Sequence, residues 1–215
     1  MKKQKSYIGI LCLCLLQIIG CVNQITIQLP DFHQRGGHID WRSKLEDVSI
    51  NMNGQIFINS ELTKLTDLQI TPKKDNSIII KADRNISFDK LNPLLKRLKS
   101  LGFSIVYFAI ANDPGYKNAV RVYLKGEKKN NQLLLQFKDN NEIIVTLQDN
   151  DKVVSHGTVK MATLKQNNYL SNVFSHCPEK QAIIVPAKNT THQNMMKIFY
   201  ECRDAGCYNL HIGEL

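Results

Sequence analysis

Cys21 is the first residue of this sequence whose surroundings prescribe chemistry. It follows the basic run MKKQK and the apolar stretch Tyr7 to Ile19, in the order Ile18-Ile19-Gly20-Cys21. That order fits a bacterial lipoprotein signal, in which the chain is cut before a cysteine that then carries acyl chains. An uncleaved anchor helix is the rival reading, because Gln17 is the one strongly polar residue between Tyr7 and Val22. Those sixteen residues would rise about 24 Å, short of a hydrocarbon core of roughly 30 Å, so a span would need help from its flanks. Either reading puts the chain beyond about residue 24 outside the cytoplasm, on the periplasmic side of a bacterial membrane.

Export changes how the remaining reactive side chains read. Cys12 and Cys14 fall in the apolar leader, which leaves Cys177, Cys202 and Cys207 as disulfide candidates of an oxidising compartment. A metal site built from His176, Cys177, Cys202, Cys207 and His211 lacks any CxxC pair, and no metal is expected. The histidines include no HExxH pair, and neither GxSxG nor a glycine-rich phosphate loop occurs. The expectation is therefore a binding protein without enzymatic activity and without a cofactor.

Charge gives the same answer. The 28 Lys and Arg against 19 Asp and Glu fall to a net +6 once Lys2, Lys3 and Lys5 are assigned to the leader. These charges are scattered among Asn and Gln without aromatic interleaving, so no nucleic acid is expected as a partner. At 215 residues and 43% hydrophobic content, the chain can hold two small domains of about 70 to 85 residues each.

Two stretches must position whatever site exists. In Ile78 to Phe108, three consecutive isoleucines read as a strand covered on both faces. Ser87 stands at the expected start of a helix. Leu91, Leu94, Leu95, Leu98 and Leu101 follow at helical spacing. Gly102 ends that helix, bringing Leu98 and Phe103 together as in a Schellman cap. Pro93 is discordant and predicts a kink or a later helix start. Ala182 to Ile212 repeats this pattern in weaker form, with Cys202 and Cys207 in place of Leu98 and Phe103. Residues that meet across a helix cap can be bridged. Cys177 competes for Cys207, because the two would begin neighbouring strands. The second copy is read as one residue shorter, with Lys188 in the place of Asp83.

Around these units, ITIQLP (Ile25 to Pro30) alternates like a strand, and Asn53-Gly54 between Val48-x-Ile50-x-Met52 and Ile56-x-Ile58 signals a two-residue hairpin. Leu62 to Leu68 reads as a weak helix, and TVKMATL to YLSNVF as a helical region. NAVRVYL closes the first domain or opens the second. The expected fold is α+β: two tandem small ββαβαβ domains, each a mixed sheet with helices on one face, after an N-terminal signal or anchor. The boundaries are 1–20 for the leader, 21–44 for a membrane-proximal strand and linker, 45–112 for the first domain, 113–131 for a linker and 132–215 for the second domain.

With NGQIFIN, the Ile80-Lys81-Ala82-Asp83 segment, Phe88 and the helix ending at Gly102 in view, the first domain resembles the periplasmic domain of the ExbD/TolR biopolymer-transport family. ITIQLP is similar to the short strand after the membrane helix in that family. The resemblance covers about residues 25 to 110 well and 132 to 215 weakly. It implies work beside ExbB/TolQ-like and TonB-like proteins, and a homodimer or an internal pseudo-dimer. Family members carry an aspartate within their membrane helix, whereas Tyr7 to Val22 holds no ionisable residue, and an apolar segment without one cannot bind and release protons. The implied role is thus an exported accessory component of an ExbB/ExbD- or Tol-like system. The alternative is a lipid-anchored envelope protein that binds peptidoglycan or another envelope protein. Ile25, Ile27, Leu29 and Pro30 are the candidates for adding to a partner's sheet. Asp83 either caps its own turn or receives a partner's basic group.

Overall fold

The structure, a computed structural model, describes residues 26–30, 47–72, 76–110, 118–124, 131–149, 152–164, 169–176 and 181–213. Each repeat is built on a strand with a consecutive apolar run, Ile78–Ile80 in the first and Ala182–Val185 in the second. Ser77–Ala82 forms β4 with Ile78, Ile79 and Ile80 all buried. Before it come β1 (Asp47–Ile50), β2 (Ile56–Ile58) and β3 (Glu61–Thr63); after it come α1 (Phe88–Ser100), β5 (Ile105–Ile110) and β6 (Asn118–Tyr123). The second repeat supplies β7 (Asn131–Phe137), β8 (Glu142–Asp149), β9 (Lys152–Lys160), α2 (Tyr169–Phe174), β10 (Gln181–Val185), α3 (His192–Asp204) and β11 (Asn209–Ile212).

The chain is α+β, and its described strands join in a single mixed sheet ordered β3-β2-β1-β4-β5-β6-β11-β10-β7-β8-β9. Reading inward from either end, β3, β2, β1, β4 and β5 match β9, β8, β7, β10 and β11. β6 stands between the two sets, antiparallel to β5 and parallel to β11. NAVRVYL is therefore the central strand and is shared by both repeats. One hydrophobic cluster runs through the whole, with strand residues such as Ile80, Phe108, Val122 and Ile184 sharing a face with the apolar stripes of α1 and α3.

The helix stops follow the sequence closely. Gly102 and Gly206 have φ of 95° and 84°, conformations that suit glycine because a Cβ would meet the following carbonyl. Phe103 N–H donates to the Leu98 carbonyl and Gly102 N–H to that of Lys99, the two bonds of a Schellman cap. Cys207 N–H to the Cys202 carbonyl and Gly206 N–H to that of Arg203 repeat the pair.

At the helix starts the outcome is split. Thr191 Oγ1 accepts from Asn194 N–H at 3.3 Å, while the equivalent Ser87 side chain makes no capping bond. Nor does Pro93 delay α1, which begins at Phe88 and continues through it; the Asp89 carbonyl simply lacks the N–H that a proline cannot supply.

Three local expectations are corrected. The β1–β2 connection is longer than two residues, because Asn51 Oδ1 accepts from the amides of Asn53 and Gln55 at 3.0 Å each and ends the ladder at Ile50 and Ile56. Leu62 to Leu68 is not a helix: Asn59 and Ser60, both at positive φ, turn the chain so that Glu61–Thr63 pairs with β2, leaving one 3-10 turn at Leu65–Asp67. Thr158, Val159 and Lys160 belong to β9, and among the described residues of the TVKMATL to YLSNVF region the helix is Tyr169–Phe174. β-Branched residues able to pair with a waiting edge win over weak helix propensity.

Substituting Gly102 with Ala is expected to lower unfolding stability by about 1–2 kcal/mol, read from urea denaturation. The new Cβ would meet only Pro72 Cγ at 3.5 Å, so the loss would come from backbone conformation and not from a clash.

Candidate binding surface

Asp83 is where the sequence-derived candidates meet. It lies at the end of β4, is 3% exposed, and uses both carboxylate oxygens on the backbone. Oδ1 accepts from Asn85 N–H at 2.9 Å and Oδ2 from Gln28 N–H at 3.0 Å. Arg84 N–H then donates to the Gln28 carbonyl at 2.6 Å. The acid therefore caps its own turn and also fastens the segment 26–30 to the first repeat. Residues 26–30 are extended without joining the sheet, with Ile27 and Leu29 half-buried and Pro30 buried. Three of the four residues expected to meet a partner are thus partly engaged by the chain itself. Ile25 and Cys21 lie outside the described residues.

The repeats meet immediately beyond Asp83. Ser87 and Thr191 form an antiparallel bridge at a constant offset of 104 residues between the copies. Phe88 N–H donates to the Thr190 carbonyl and His192 N–H to that of Ile86, both at 2.8 Å; Asp89 N–H donates to the Lys188 carbonyl and Gln193 N–H to that of Arg84, both at 2.9 Å. Each bond has its mirror, the signature of a two-fold contact between like surfaces. This register corrects the alignment read from sequence: Lys188 corresponds to Arg84, Asp83 corresponds to Ala187, and the copies have equal length from strand to glycine. No carboxylate therefore stands at the equivalent position of the second repeat.

Polar groups gather at this joint. His192 replaces Phe88 of the first repeat; it is buried, and its ring centroid lies 4.9 Å from that of Phe108. Neither ring nitrogen has a hydrogen-bond partner, and burial pulls its pKa down to about 3. On the sheet side, His211 stacks on Tyr123 at 5.0 Å, with Arg121 over the Tyr123 ring at 4.9 Å. Patterning alone did not single out His192. Its signal in the sequence is a histidine occupying the place of an aromatic in the other copy.

The disulfide candidates Cys202 and Cys207 are buried thiols at the C-terminal cap of α3. Burial, and then the neighbouring Cys207, push the Cys202 thiol well above its ordinary range. Cys177 lies outside the described residues. His211 Nε2 lies 2.8 Å from Asn209 Oδ1, and no group of three or more His, Cys, Asp or Glu among the described residues is arranged to hold a metal.

Two further surfaces face outward. The sheet ends at β3 on one side and at β9 on the other. β3 has three residues, while β9 has nine, with Val153 and Val154 59% and 61% exposed. An edge strand presents backbone groups in register for another strand. Between β3 and α1 lies a cleft of about 480 Å³ with Ile56, Leu62, Leu65 and Leu94 in its lining and Lys64 and Lys90 beside them. Among the described residues, no helix is long and apolar enough to cross a membrane. Comparison of the chain with protein-family models, curated proteins and solved structures finds no match.

Asp83→Ala is expected to lower stability by about 1–3 kcal/mol and to speed amide exchange at Gln28, since it removes the charged acceptor of two part-buried hydrogen bonds. In the reduced native chain at pH 8, Cys202 and Cys207 should resist alkylation that reaches completion in denaturant, as counted by mass spectrometry, because both thiols are buried and Cys202, whose pKa is raised, holds little thiolate.

Proposed function

We propose that the chain is an exported, membrane-anchored, non-enzymatic accessory component of an ExbB/ExbD- or Tol-like energy-transducing transport system, acting by protein-protein binding in the periplasm. The single observation that carries this reading is the outer edge of β9, a nine-residue strand with exposed valines at the end of the sheet. Such an edge takes up an extended segment of a partner through main-chain hydrogen bonds, with alternate side chains setting the choice. Its counterpart β3 is short, so the two ends of the sheet differ in what they can hold.

The Gln28 to Asp83 contact supports the same reading. It draws the chain leaving the membrane against the first repeat, so that a partner pulling on the folded region would load this clamp and not a slack tether. Lipid at Cys21 would supply the anchorage: each buried methylene contributes about 0.8 kcal/mol, and two or more acyl chains hold a soluble region at a membrane.

The test combines acyl labelling with co-purification from membranes. Labelled lipid should enter the wild-type chain and not Cys21→Ser, and ExbB/TolQ-like or TonB-like subunits should co-purify with the wild type. A Val153→Lys/Val154→Lys double variant should retain its fold by circular dichroism and lose at least tenfold of that recovery, on the order of 1.4 kcal/mol in binding. Retention of Cys21→Ser in the inner membrane as a span, with motor subunits still attached, would overturn the accessory role. Binding to isolated cell wall without those subunits would favour the envelope-protein alternative.

A further inference from the structure

We propose that the joint between the two repeats is an acid-released latch, held shut while the buried His192 ring is neutral and opened when that ring takes up a proton. Among the described residues the polar fastenings of the joint are few. On the helix side they are the backbone exchange around Ser87 and Thr191, backed by apolar packing. On the sheet side β6 and β11 share a single registered pair, Tyr123 with His211. His192 donates one of the exchanged backbone bonds, and its ring fills the space between the repeats against Phe108, which also stacks on Phe199 at 6.4 Å.

A charge on this ring has no partner. Both nitrogens are buried and unbonded, as are Thr190 Oγ1 and Gln193 Oε1 nearby. Burial is the sole cause of the lowered proton affinity. The titratable and charged side chains of the surrounding elements are Asp83 and Arg84 before α1, Asp89, Lys90, Lys96, Arg97 and Lys99 on α1, Arg121 on β6, His211 on β11, Lys138, Asp139 and Glu142 at the β7–β8 turn, Lys188 before α3, and Lys197, Glu201, Arg203 and Asp204 on α3 itself. None of them offers the imidazolium a compensating interaction. An isolated buried charge is expensive, and the escape is exposure to water.

The direction in pH follows from proton counting. Parted repeats return His192 to its ordinary value of about 6.5, whereas the closed joint holds it at about 3. Between those values the open form binds one proton more, so closure weakens as pH falls below about 6.5 and is independent of this group above it. Each unit of pH shifts the opening equilibrium by about tenfold. Opening would bare Phe108 and Phe199, an aromatic surface that the closed form hides.

Amide exchange of the full chain tests this, read at Phe88, Asp89, His192 and Gln193 and corrected for the pH dependence of intrinsic exchange. From pH 6.5 to 4.5 the opening equilibrium at these amides should rise about fiftyfold, while amides of β4 and β8 stay protected and far-ultraviolet circular dichroism is unchanged. His192→Phe, which installs the residue of the first repeat, should abolish the rise, and His192→Leu serves if the phenylalanine variant does not fold. His211→Phe should keep the rise. An unchanged acid response in the His192 variants, or simultaneous loss of protection across both repeats, would overturn the latch. So would imidazole titration of His192 near pH 6.5, followed by ring NMR, with no change in exchange at the joint.

Discussion

The structure depends on a mirrored exchange of backbone hydrogen bonds between two turns that precede two helices. Ser87 and Thr191 sit opposite one another, and each repeat donates to the other what it accepts from it. Helix starts leave amides unpaired by geometry, and those amides need partners when buried. Here the first amides of α1 and α3 find them in carbonyls of the opposite turn. The same constraint that would require a side-chain cap at an isolated helix therefore holds the repeats together, which is consistent with Ser87 leaving its hydroxyl out of capping.

Symmetry of the backbone coexists with asymmetry of the side chains. Asp83 has Ala187 as its equivalent, Phe88 has His192, Leu98 has Cys202 and Phe103 has Cys207. The first repeat keeps apolar residues where the helix caps close and where the repeats meet, and it uses its acid to fasten the incoming segment at Gln28. The second repeat carries the titratable side chains at these places. It also has the long edge strand β9, whereas the first ends in the short β3. The divergence thus places the buried acid in the first repeat and the buried histidine, the buried thiols and the long edge strand in the second.

β6 is the element that turns duplication into one body. It belongs to neither copy by symmetry, pairing antiparallel along six residues with β5 and at one position with β11. The sheet is therefore strong within each repeat and thin between them. Hydrophobic packing compensates on the helix face, where Phe108 of the first repeat lies against His192 and Phe199 of the second. A joint made of one buried polar ring and a few backbone bonds is one that a single charge can disturb.

Local chemistry was legible in the residues themselves. Consecutive isoleucines meant a covered strand, the leucine spacing meant α1, and Gly102 and Gly206 meant helix stops, because these depend on steric limits within a few residues. The α+β class followed from the same signals. What tertiary structure alone decided was partnership: that Leu62 pairs in a strand, that β6 lies between the copies, that Asp83 reaches Gln28, and that His192 lies against Phe108. Each of these joins residues far apart in the chain. Spacing fixes which side chains share a face, but the register that brings two distant faces together is chosen by which buried donors and acceptors can be satisfied at once.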